Sequence, residues 1–391
     1  MNIKLHLIAL SLICLTDMFG QDIANVQNIK INSLELNQER EILVYTPQGY
    51  DESSHTSFDV IYVFDSQNRA FFDYAHSTIS FFEEFMWKRF IVVGITSPHI
   101  EEQEYSRNND MLPKLTDKDA IKKYGSYSGN ANNFLKYIKN EVFPLIEKRY
   151  RPMNKRIAVG HSLSASFVIY SLFEEPDLFT DYIAISPNLA FDNNRLANQF
   201  INFDFNRLEK KKFLYLSNAD EGKYWNSWKP AREKVYQFLK DSLNSDKLQV
   251  VKKEYPEEGH LSVFASSYRN GINEYLNYFA TNYSSFLSEK TYQIKITVEV
   301  PNKKDKVYLT GNQEVLSNWK SPDKIKLNKK SDFQREIILT VQSPIQFKLT
   351  RGSWESEAVV LGNEAMRELT LNPSENMEVN YKIVNWDDKI E

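Results

Sequence analysis

Short apolar runs alternate with helical patterns through the first two thirds of the chain. The runs at 58–65 (FDVIYVFD) and 89–96 (RFIVVGIT) are continuous, rich in β-branched residues and short, which is typical of strands buried on both faces. Residues 131–150 instead repeat their apolar side chains at helical intervals. Because strands that alternate with helices pair in parallel, the pattern predicts an α/β fold with a doubly wound, mostly parallel sheet.

The pattern changes near residue 290. The segment 292–300 (YQIKITVEV) alternates apolar and polar residues, and further strand-like segments follow at short, even spacing without a helix-length period. This arrangement is typical of an antiparallel sandwich of about 100 residues. We therefore predict an α/β domain over 21–288 and an all-β sandwich domain over 289–391.

The amino terminus has the features of a secretory signal peptide over residues 1–20. Lys4 precedes an apolar run that is too short to span a membrane, and Gly20 is small enough for a cleavage site. Cys14 is the only cysteine, and Ile13 before it argues against a lipid anchor. The sequence thus predicts an exported protein, periplasmic or secreted, without a transmembrane anchor.

Charge and composition exclude one class of partner. The chain has 48 Lys and Arg against 52 Asp and Glu, for a net charge of −4, and no basic stripe is interleaved with aromatic residues. Nucleic-acid-binding proteins depend on such a basic surface to neutralise phosphates. We therefore expect no nucleic-acid partner.

The stretch 157–166 (IAVGHSLSAS) places a serine between a strand pattern and a helix pattern. A serine hydroxyl becomes a useful nucleophile when a base, a group that orients the base, and donors for the oxyanion surround it. The strand–turn–helix motif G-x-S-x-G supplies that geometry. Gly160 and Ser162 fit the motif, whereas Ser164 stands in place of the final glycine.

Chain order indicates where the other catalytic groups lie. His260 follows the last strand pattern of the α/β domain, and Asp220 and Glu221 follow the strand pattern before it. Catalytic groups of α/β sheets gather at the carboxyl ends of the strands, in the order nucleophile, acid, histidine. His161 is expected to point away from the serine beside it. The order predicts Ser162 as nucleophile and His260 as base.

Residues 30–285 resemble the esterase family of α/β hydrolases that includes esterase D and the ferric enterobactin esterases. The resemblance rests on segments in the family's order: REILVYTPQGYD, IYVFDSQN, IVVGI, NFLKYIKNEVFPLIEKRYR, VGHSLSASFVIYSLFEEPDLFTDYIAISP and YPEEGH. It implies the same nucleophile and base. It favours Glu221 over Asp220 as the acid, and a Ser–His pair without an acid stays open. It also implies oxyanion donors at the backbone of Leu163 and of either Ser66 or Gln67.

Residues 305–388 resemble the starch-binding, family-20 carbohydrate-binding module. The matching segments are VYLTGNQEVLSNW, IQFKLTRGSWESE, GNEAMREL and a terminal VNW. The resemblance implies that Trp319 and Trp354 stack on sugar rings, with Lys348 and Asn363 as polar partners. The alternative is that these aromatic residues belong to the core of the sandwich, or that the domain keeps the fold without binding sugar.

Together these features predict an exported serine esterase that acts through an acyl-enzyme, without a metal or organic cofactor. The substrate would be a small-molecule ester or an acylated polysaccharide, and a siderophore trilactone is the alternative within enzymes. A protein of another class, which binds carbohydrate and keeps the hydrolase fold as a scaffold, also fits the sequence.

Overall fold

The computed structural model describes residues 24–83, 88–98, 106–124, 129–222 and 224–389. The predicted signal peptide lies outside these residues. In the described part of the chain, no helix combines the length and the apolar character needed to cross a membrane. We refer to the described residues up to Phe286 as the α/β region and to those from Thr291 onward as the C-terminal region.

The α/β region is built on one eight-stranded sheet with the order β1-β2-β4-β3-β5-β6-β7-β8. The first three strands in this order pair antiparallel, and from β4 onward every pairing is parallel. The strands are β1 (Asn25–Ser33), β2 (Gln38–Thr46), β3 (Phe58–Val63), β4 (Phe90–Ile95), β5 (Pro152–His161), β6 (Asp181–Ile185), β7 (Lys212–Asp220) and β8 (Leu248–Gly259).

Helices connect the parallel strands and cover both faces of this sheet, as the alternation in the sequence predicts. They are α1 (Arg69–Glu83), α2 (Ser106–Met111), α3 (Lys118–Tyr124), α4 (Ala131–Tyr137), α5 (Phe143–Arg149), α6 (Leu163–Glu174), α7 (Phe191–Asn202), α8 (Lys229–Asp241) and α9 (Val263–Asn282). The helix predicted over 131–150 is interrupted by a π-helical turn at Ile138–Val142. Pro144 follows this turn and has no N–H for the regular helical ladder, which accounts for the interruption.

Two hydrophobic clusters lie on opposite faces of the sheet, and single strands contribute to both. In β3, Val60 and Tyr62 belong to one cluster, whereas Ile61 and Val63 belong to the other. All four side chains are at most 2% exposed. Since successive strand residues point to opposite faces, a continuous apolar run is what a sheet covered on both sides requires.

The C-terminal region contains two sheets, of four and five strands, with the orders β11-β10-β14-β16 and β12-β13-β9-β17-β15. Its strands are β9 (Thr291–Glu299), β10 (Tyr308–Gly311), β11 (Ile325–Lys326), β12 (Asn328–Lys329), β13 (Gln334–Gln342), β14 (Ile345–Thr350), β15 (Ala358–Val360), β16 (Leu369–Leu371) and β17 (Met377–Trp386). A third hydrophobic cluster draws residues from both sheets and includes the fully buried Trp386.

The pairing of β9 with β17 is parallel, which differs from the antiparallel arrangement that we expected. The two strands are far apart in the chain, and a long connection leaves the strand direction free, whereas a tight hairpin would fix it as antiparallel. The other pairings within these two sheets are antiparallel. The domain boundary at 288/289 stays a prediction.

A loop of the α/β region is hydrogen-bonded to a loop of the C-terminal region. Two acceptors lie within hydrogen-bond distance of the Thr56 hydroxyl, the carbonyl oxygen of Glu368 at 2.6 Å and Asn363 Oδ1 at 3.0 Å. The backbone N–H of Ser54 donates to the carbonyl of Gly362 at 2.7 Å. These contacts join the C-terminal region to the edge of the parallel sheet at which the strands begin.

Candidate active site

Ser162 lies on a sharp turn between β5 and α6. Its backbone has φ 60° and ψ −117°, a conformation that a non-glycine residue adopts only under constraint. A Cβ on Gly160 would lie 2.5 Å from the backbone of Ser164, so glycine is required there. Ser164 is fully buried and donates to the carbonyl of His161 at 2.9 Å. Serine therefore fits where the usual motif has its second glycine.

Three side chains from three loops form one hydrogen-bonded chain. Ser162 Oγ lies 2.9 Å from His260 Nε2, and His260 Nδ1 lies 2.6 Å from Glu221 Oε2. With the proton on Nδ1, the imidazole donates to the carboxylate and accepts from the serine hydroxyl. The side chains of His260 and Glu221 are 2% and 3% exposed, so water does not compete strongly for these bonds.

Glu221, and not Asp220, meets the imidazole. Asp220 is the exposed last residue of β7, and its Oδ1 accepts from the N–H of Gly222 at 3.2 Å, closing a small turn. The second oxygen of Glu221 accepts from Ser186 Oγ at 3.1 Å. The structure thus brings together the acid that the resemblance favoured and places the alternative acid on the surface.

His161 contacts the backbone of His260, the histidine whose ring is hydrogen-bonded to Ser162. Its Nε2 lies 2.7 Å from the carbonyl oxygen of His260, and the two rings are 5.0 Å apart between centroids. Burial and the nearby His260 lower the pKa of His161 to about 4, so this ring is neutral at pH 7 and donates through Nε2–H. Through this bond to the carbonyl of His260, His161 supports the loop that carries the candidate base.

Two tryptophans that our sequence analysis did not select flank the same imidazole. The ring centroid of Trp225 lies 4.3 Å from that of His260, and Trp228 makes an edge contact at 5.3 Å. Both side chains are half-buried. The signal was present as the segment YWNSW, which begins three positions after Glu221, but only the tertiary structure shows which ring these residues contact.

The predicted oxyanion donors differ in whether their backbone N–H groups already donate to another residue. Leu163 is the first residue of α6, so its N–H lies in the first helical turn, where no intrahelical acceptor exists. The N–H of Ser66 donates to the carbonyl of Ile95 at 3.0 Å, so the prediction of Ser66 as an oxyanion donor is wrong. The N–H of Gln67 has no acceptor among the described residues and remains the candidate in this loop.

A buried ion pair holds the loop that carries Gln67. Asp65 has φ 62°, and its two oxygens accept from Arg107 at 2.5 and 2.6 Å. Burial alone would raise the pKa of Asp65, but the bonds and charge of Arg107 outweigh burial and lower it. Gln67 Nε2 donates to the same carboxylate at 3.0 Å, while Gln67 Oε1 accepts from the N–H of Ser97 at 2.9 Å.

Three of the four predicted sugar-binding residues share one cavity. Trp319, Lys348 and Trp354 line a space of about 820 Å³ between the two regions. Asn363 does not line it: the side chain is fully buried, and its Oδ1 accepts from the N–H of His55 at 3.2 Å. The prediction of Asn363 as a sugar ligand is therefore wrong, because its amide is used to join the two regions.

In the part of the chain that the structure describes, no group of three or more His, Cys, Asp or Glu residues is arranged to hold a metal ion. The candidate site as described combines a serine, an imidazole, a carboxylate and backbone donors. Such a set can attack a carbonyl carbon and stabilise the resulting oxyanion.

Known proteins resemble part of the chain. The chain has 25% identity over 182 residues to the ferri-bacillibactin esterase BesA of Bacillus subtilis, which is 44% of this chain and 62% of BesA. It has 25% identity over 171 residues to the siderophore triacetylfusarinine C esterase of Aspergillus fumigatus, 37% of this chain and 57% of that enzyme. The chain thus spans about three fifths of the length of these curated relatives.

Solved structures share the fold. An IroE-like serine hydrolase from Shewanella oneidensis aligns with a TM-score of 0.54 and 24% identity, over 65% of this chain and 81% of that one. The BES protein from Bacillus cereus aligns with a TM-score of 0.54 and 23% identity, over 70% and 97%. The family model described as "Putative esterase" matches residues 33–252, more than half of the chain. The chain therefore belongs to this esterase family, a family of carboxylic ester hydrolases with the α/β-hydrolase fold.

Proposed function

We propose that the protein is a serine esterase that hydrolyses carboxylic esters through an acyl-enzyme. The observation that carries the proposal is the continuous chain of hydrogen bonds from Ser162 through His260 to Glu221. The strained turn that carries Ser162 at the carboxyl edge of the sheet also supports the proposal.

In the proposed mechanism, Ser162 Oγ attacks the carbonyl carbon of the ester while His260 Nε2 takes the hydroxyl proton. The Glu221 carboxylate stabilises the imidazolium that forms. The negative oxygen of the tetrahedral intermediate accepts hydrogen bonds from the N–H groups of Leu163 and Gln67.

When this intermediate collapses, the bond to the alcohol oxygen breaks and the alcohol leaves with the proton from Nε2. The acyl group stays on Ser162 as an ester. A water molecule then gives a proton to Nε2 and attacks the acyl carbon. The second intermediate releases the carboxylic acid, and Ser162 Oγ regains its proton.

The names of the relatives favour a siderophore ester as the substrate class. One curated relative is named a ferri-bacillibactin esterase and the other a siderophore triacetylfusarinine C esterase. An ester attached to a polysaccharide is the second candidate, supported by the cavity that Trp319 and Trp354 line. Either substrate would suit the exported protein that the apolar amino terminus suggests, so export remains part of the proposal.

A panel of esters tests the reaction and the substrate class. The full chain is assayed with p-nitrophenyl butyrate, a catecholate trilactone, a hydroxamate siderophore ester, acetylated xylan and a feruloyl ester, beside the Ser162→Ala variant. We expect turnover of the small ester by the wild-type protein alone and the highest kcat/KM for a siderophore ester. No turnover of any ester by the folded protein would favour the scaffold alternative.

We also propose that the C-terminal region binds a glucan-like polysaccharide through Trp319 and Trp354. Indole faces stack on the apolar faces of pyranose rings, and Lys348 offers a donor at the edge of the same cavity. Affinity electrophoresis of the full chain in soluble starch, glycogen and xylan tests this role. We expect retardation that the Trp319→Ala/Trp354→Ala double variant loses and that Phe333→Ala, at an exposed aromatic residue of the same region, keeps. Unretarded wild-type protein in all three gels would contradict it.

A further inference from the structure

The cavity between the two regions has walls from both. Trp319, Trp354 and Glu368 contribute from the C-terminal region, and Arg89 and Tyr283 contribute from the α/β side. The sequence of the C-terminal region alone does not predict a cavity shared with the α/β region, because Arg89 is more than 200 positions away from both tryptophans in the chain. A ligand held between the indoles would therefore also face a guanidinium of the α/β region.

Arg89 is free to bind such a ligand. Its side chain is half-buried, and no hydrogen-bond acceptor or ion-pair partner contacts its guanidinium among the described residues. A guanidinium has five N–H donors in a fixed plane, and donors on a cavity wall are available to ligand hydroxyls. The neighbouring Lys88, in contrast, forms an ion pair with Asp59 at 2.6 Å.

Acceptors face these donors from the C-terminal region. Glu368 is partly exposed in the cavity wall, where Gln346 Nε2 donates to its Oε1 at 3.3 Å. Burial raises the pKa of Glu368, while the charges of Lys88, Lys348 and Arg89 oppose that shift. The cavity thus offers donors on one wall and an acceptor on the other.

Positive and negative side chains balance in the lining. Lys348 is paired with Glu357 at 2.9 Å and Lys88 with Asp59, and Arg89 and Glu368 line the same cavity, where their charges interact. A site without excess charge favours an uncharged ligand over a phosphate or a carboxylate. Two indoles with donors and acceptors around them match a neutral sugar, which has apolar ring faces and a rim of hydroxyl groups.

We infer that this cavity is one saccharide-binding site shared by the two regions, in which Arg89 donates to hydroxyl groups of a neutral sugar held against Trp319 and Trp354. The inference rests on the saccharide binding proposed above and adds the α/β region as a second wall of the site. The site lies at the beginning of β3 and β5, next to Phe58 and Met153.

The shared site is remote from the candidate catalytic centre. Met153 is near the start of β5, and Ser162 directly follows its end, so the strand separates them by about 30 Å at ~3.3 Å per residue. A bound saccharide at the amino edge of the sheet therefore leaves the carboxyl edge open. The site anchors a sugar chain and does not present it to Ser162.

Calorimetry with the full chain tests the inference. Maltoheptaose and xylohexaose are titrated into the wild-type protein, Arg89→Ala, the Trp319→Ala/Trp354→Ala double variant and Arg207→Ala. Arg207 is an exposed arginine of the α/β region outside the cavity and serves as the matched control. We expect Arg89→Ala to weaken the binding of one oligosaccharide about tenfold, the usual effect of losing a charge-assisted hydrogen bond, and Arg207→Ala to bind as the wild type does.

The outcomes distinguish a failure of the shared-site inference from a failure of the saccharide-binding proposal on which it rests. If Arg89→Ala binds as tightly as the wild type while the double variant does not bind, saccharide binding stands and the shared site is wrong. If the wild type binds neither oligosaccharide, both are wrong. Hydrogen exchange of the wild-type protein gives a readout that does not depend on variants. The saccharide should slow exchange in peptides at 88–92 as well as at 346–357, and protection of the second peptide alone would overturn the shared site.

Discussion

The two edges of the parallel sheet carry sites of different construction. At the carboxyl edge, Ser162, Glu221 and His260 come from loops that follow strands β5, β7 and β8 of a single sheet. At the amino edge, the cavity exists only because a second region covers the beginning of the strands. The first site is therefore fixed by the topology of one sheet, whereas the second depends on how two regions meet.

The two sites also differ in how their polar groups are satisfied. In the candidate catalytic centre, the buried carboxylate of Glu221 accepts from both His260 and Ser186, and the imidazole uses both nitrogens. In the cavity, Arg89 forms no hydrogen bond or ion pair among the described residues, although its charge acts on Glu368. A saturated network holds groups in one geometry, which catalysis requires, while unsatisfied donors on a cavity wall suit the binding of a ligand.

The largest expected effect is the loss of the nucleophile at the carboxyl edge. Ser162→Ala should lower kcat for a p-nitrophenyl ester by on the order of 10⁶-fold, since the members of such a triad act as a unit. His260→Ala should do nearly the same. Steady-state kinetics beside Ser331→Ala, at an exposed serine of the C-terminal region, checks this. Retention of more than a few per cent of activity in folded Ser162→Ala would place the chemistry elsewhere.

A smaller loss is expected for the acid. Glu221→Gln should lower kcat by on the order of 10⁴-fold, because an amide cannot stabilise the imidazolium and can impose the wrong tautomer on His260. Asp220→Asn, one residue away and exposed, should change kcat by less than about twofold. Measurement of both variants at one pH decides between the two carboxylates. If neither variant matters, the site works as a Ser–His pair.

Burial of His161 near the carboxyl edge should make the free energy of unfolding fall at acid pH. The pKa of His161 is about 4 when folded, against about 6.5 in an unfolded chain, so between these values only the unfolded state binds the proton. Stability is therefore lost as the pH falls. From pH 7 to 4.5, the unfolding free energy of the wild type should fall by about 2–3 kcal/mol more than that of His161→Gln. Urea denaturation at both pH values measures this difference, and equal losses would show that His161 takes up its proton while folded.

The smallest effect concerns the junction at the amino edge. Asn363→Ala should lower the unfolding free energy by about 1–3 kcal/mol, because it leaves the hydroxyl of Thr56 and the N–H of His55 with one acceptor fewer in a buried place. Asn154→Ala removes an exposed contact to Asn372 across the same junction and should cost less than about 0.5 kcal/mol. Thermal or urea denaturation compares the two. Equal stability of both variants would mean that Asn363 does not hold the regions together.

Much of the α/β region could be predicted from the sequence because its signals are local. The β-branched runs at 58–65 and 89–96 became the buried strands β3 and β4. The Gly-x-Ser turn became the strained connection that carries Ser162. Chain order then placed His260 and the pair Asp220 and Glu221 at the same edge, because consecutive parallel strands all end there.

The misassigned residues share a physical cause. Whether the N–H of Ser66 is free depends on Ile95, a residue of a neighbouring strand, and nothing near position 66 reveals that bond. Whether Asn363 faces a ligand depends on a loop about 300 residues earlier, whose N–H and hydroxyl groups use its amide oxygen. Hydrogen bonds between distant segments form only when the chain is folded, and a motif does not record them.

By itself, the sequence determined the α/β class, the positions of the candidate nucleophile and base, and the change to short strands near residue 290, since periodicity and turn chemistry act over a few residues. Only the tertiary structure decided that Glu221 rather than Asp220 meets His260, that Trp225 contacts its ring, and that Arg89 shares a cavity with Trp319. These choices depend on side-chain distances between segments far apart in the chain, and packing of the folded protein alone sets those distances.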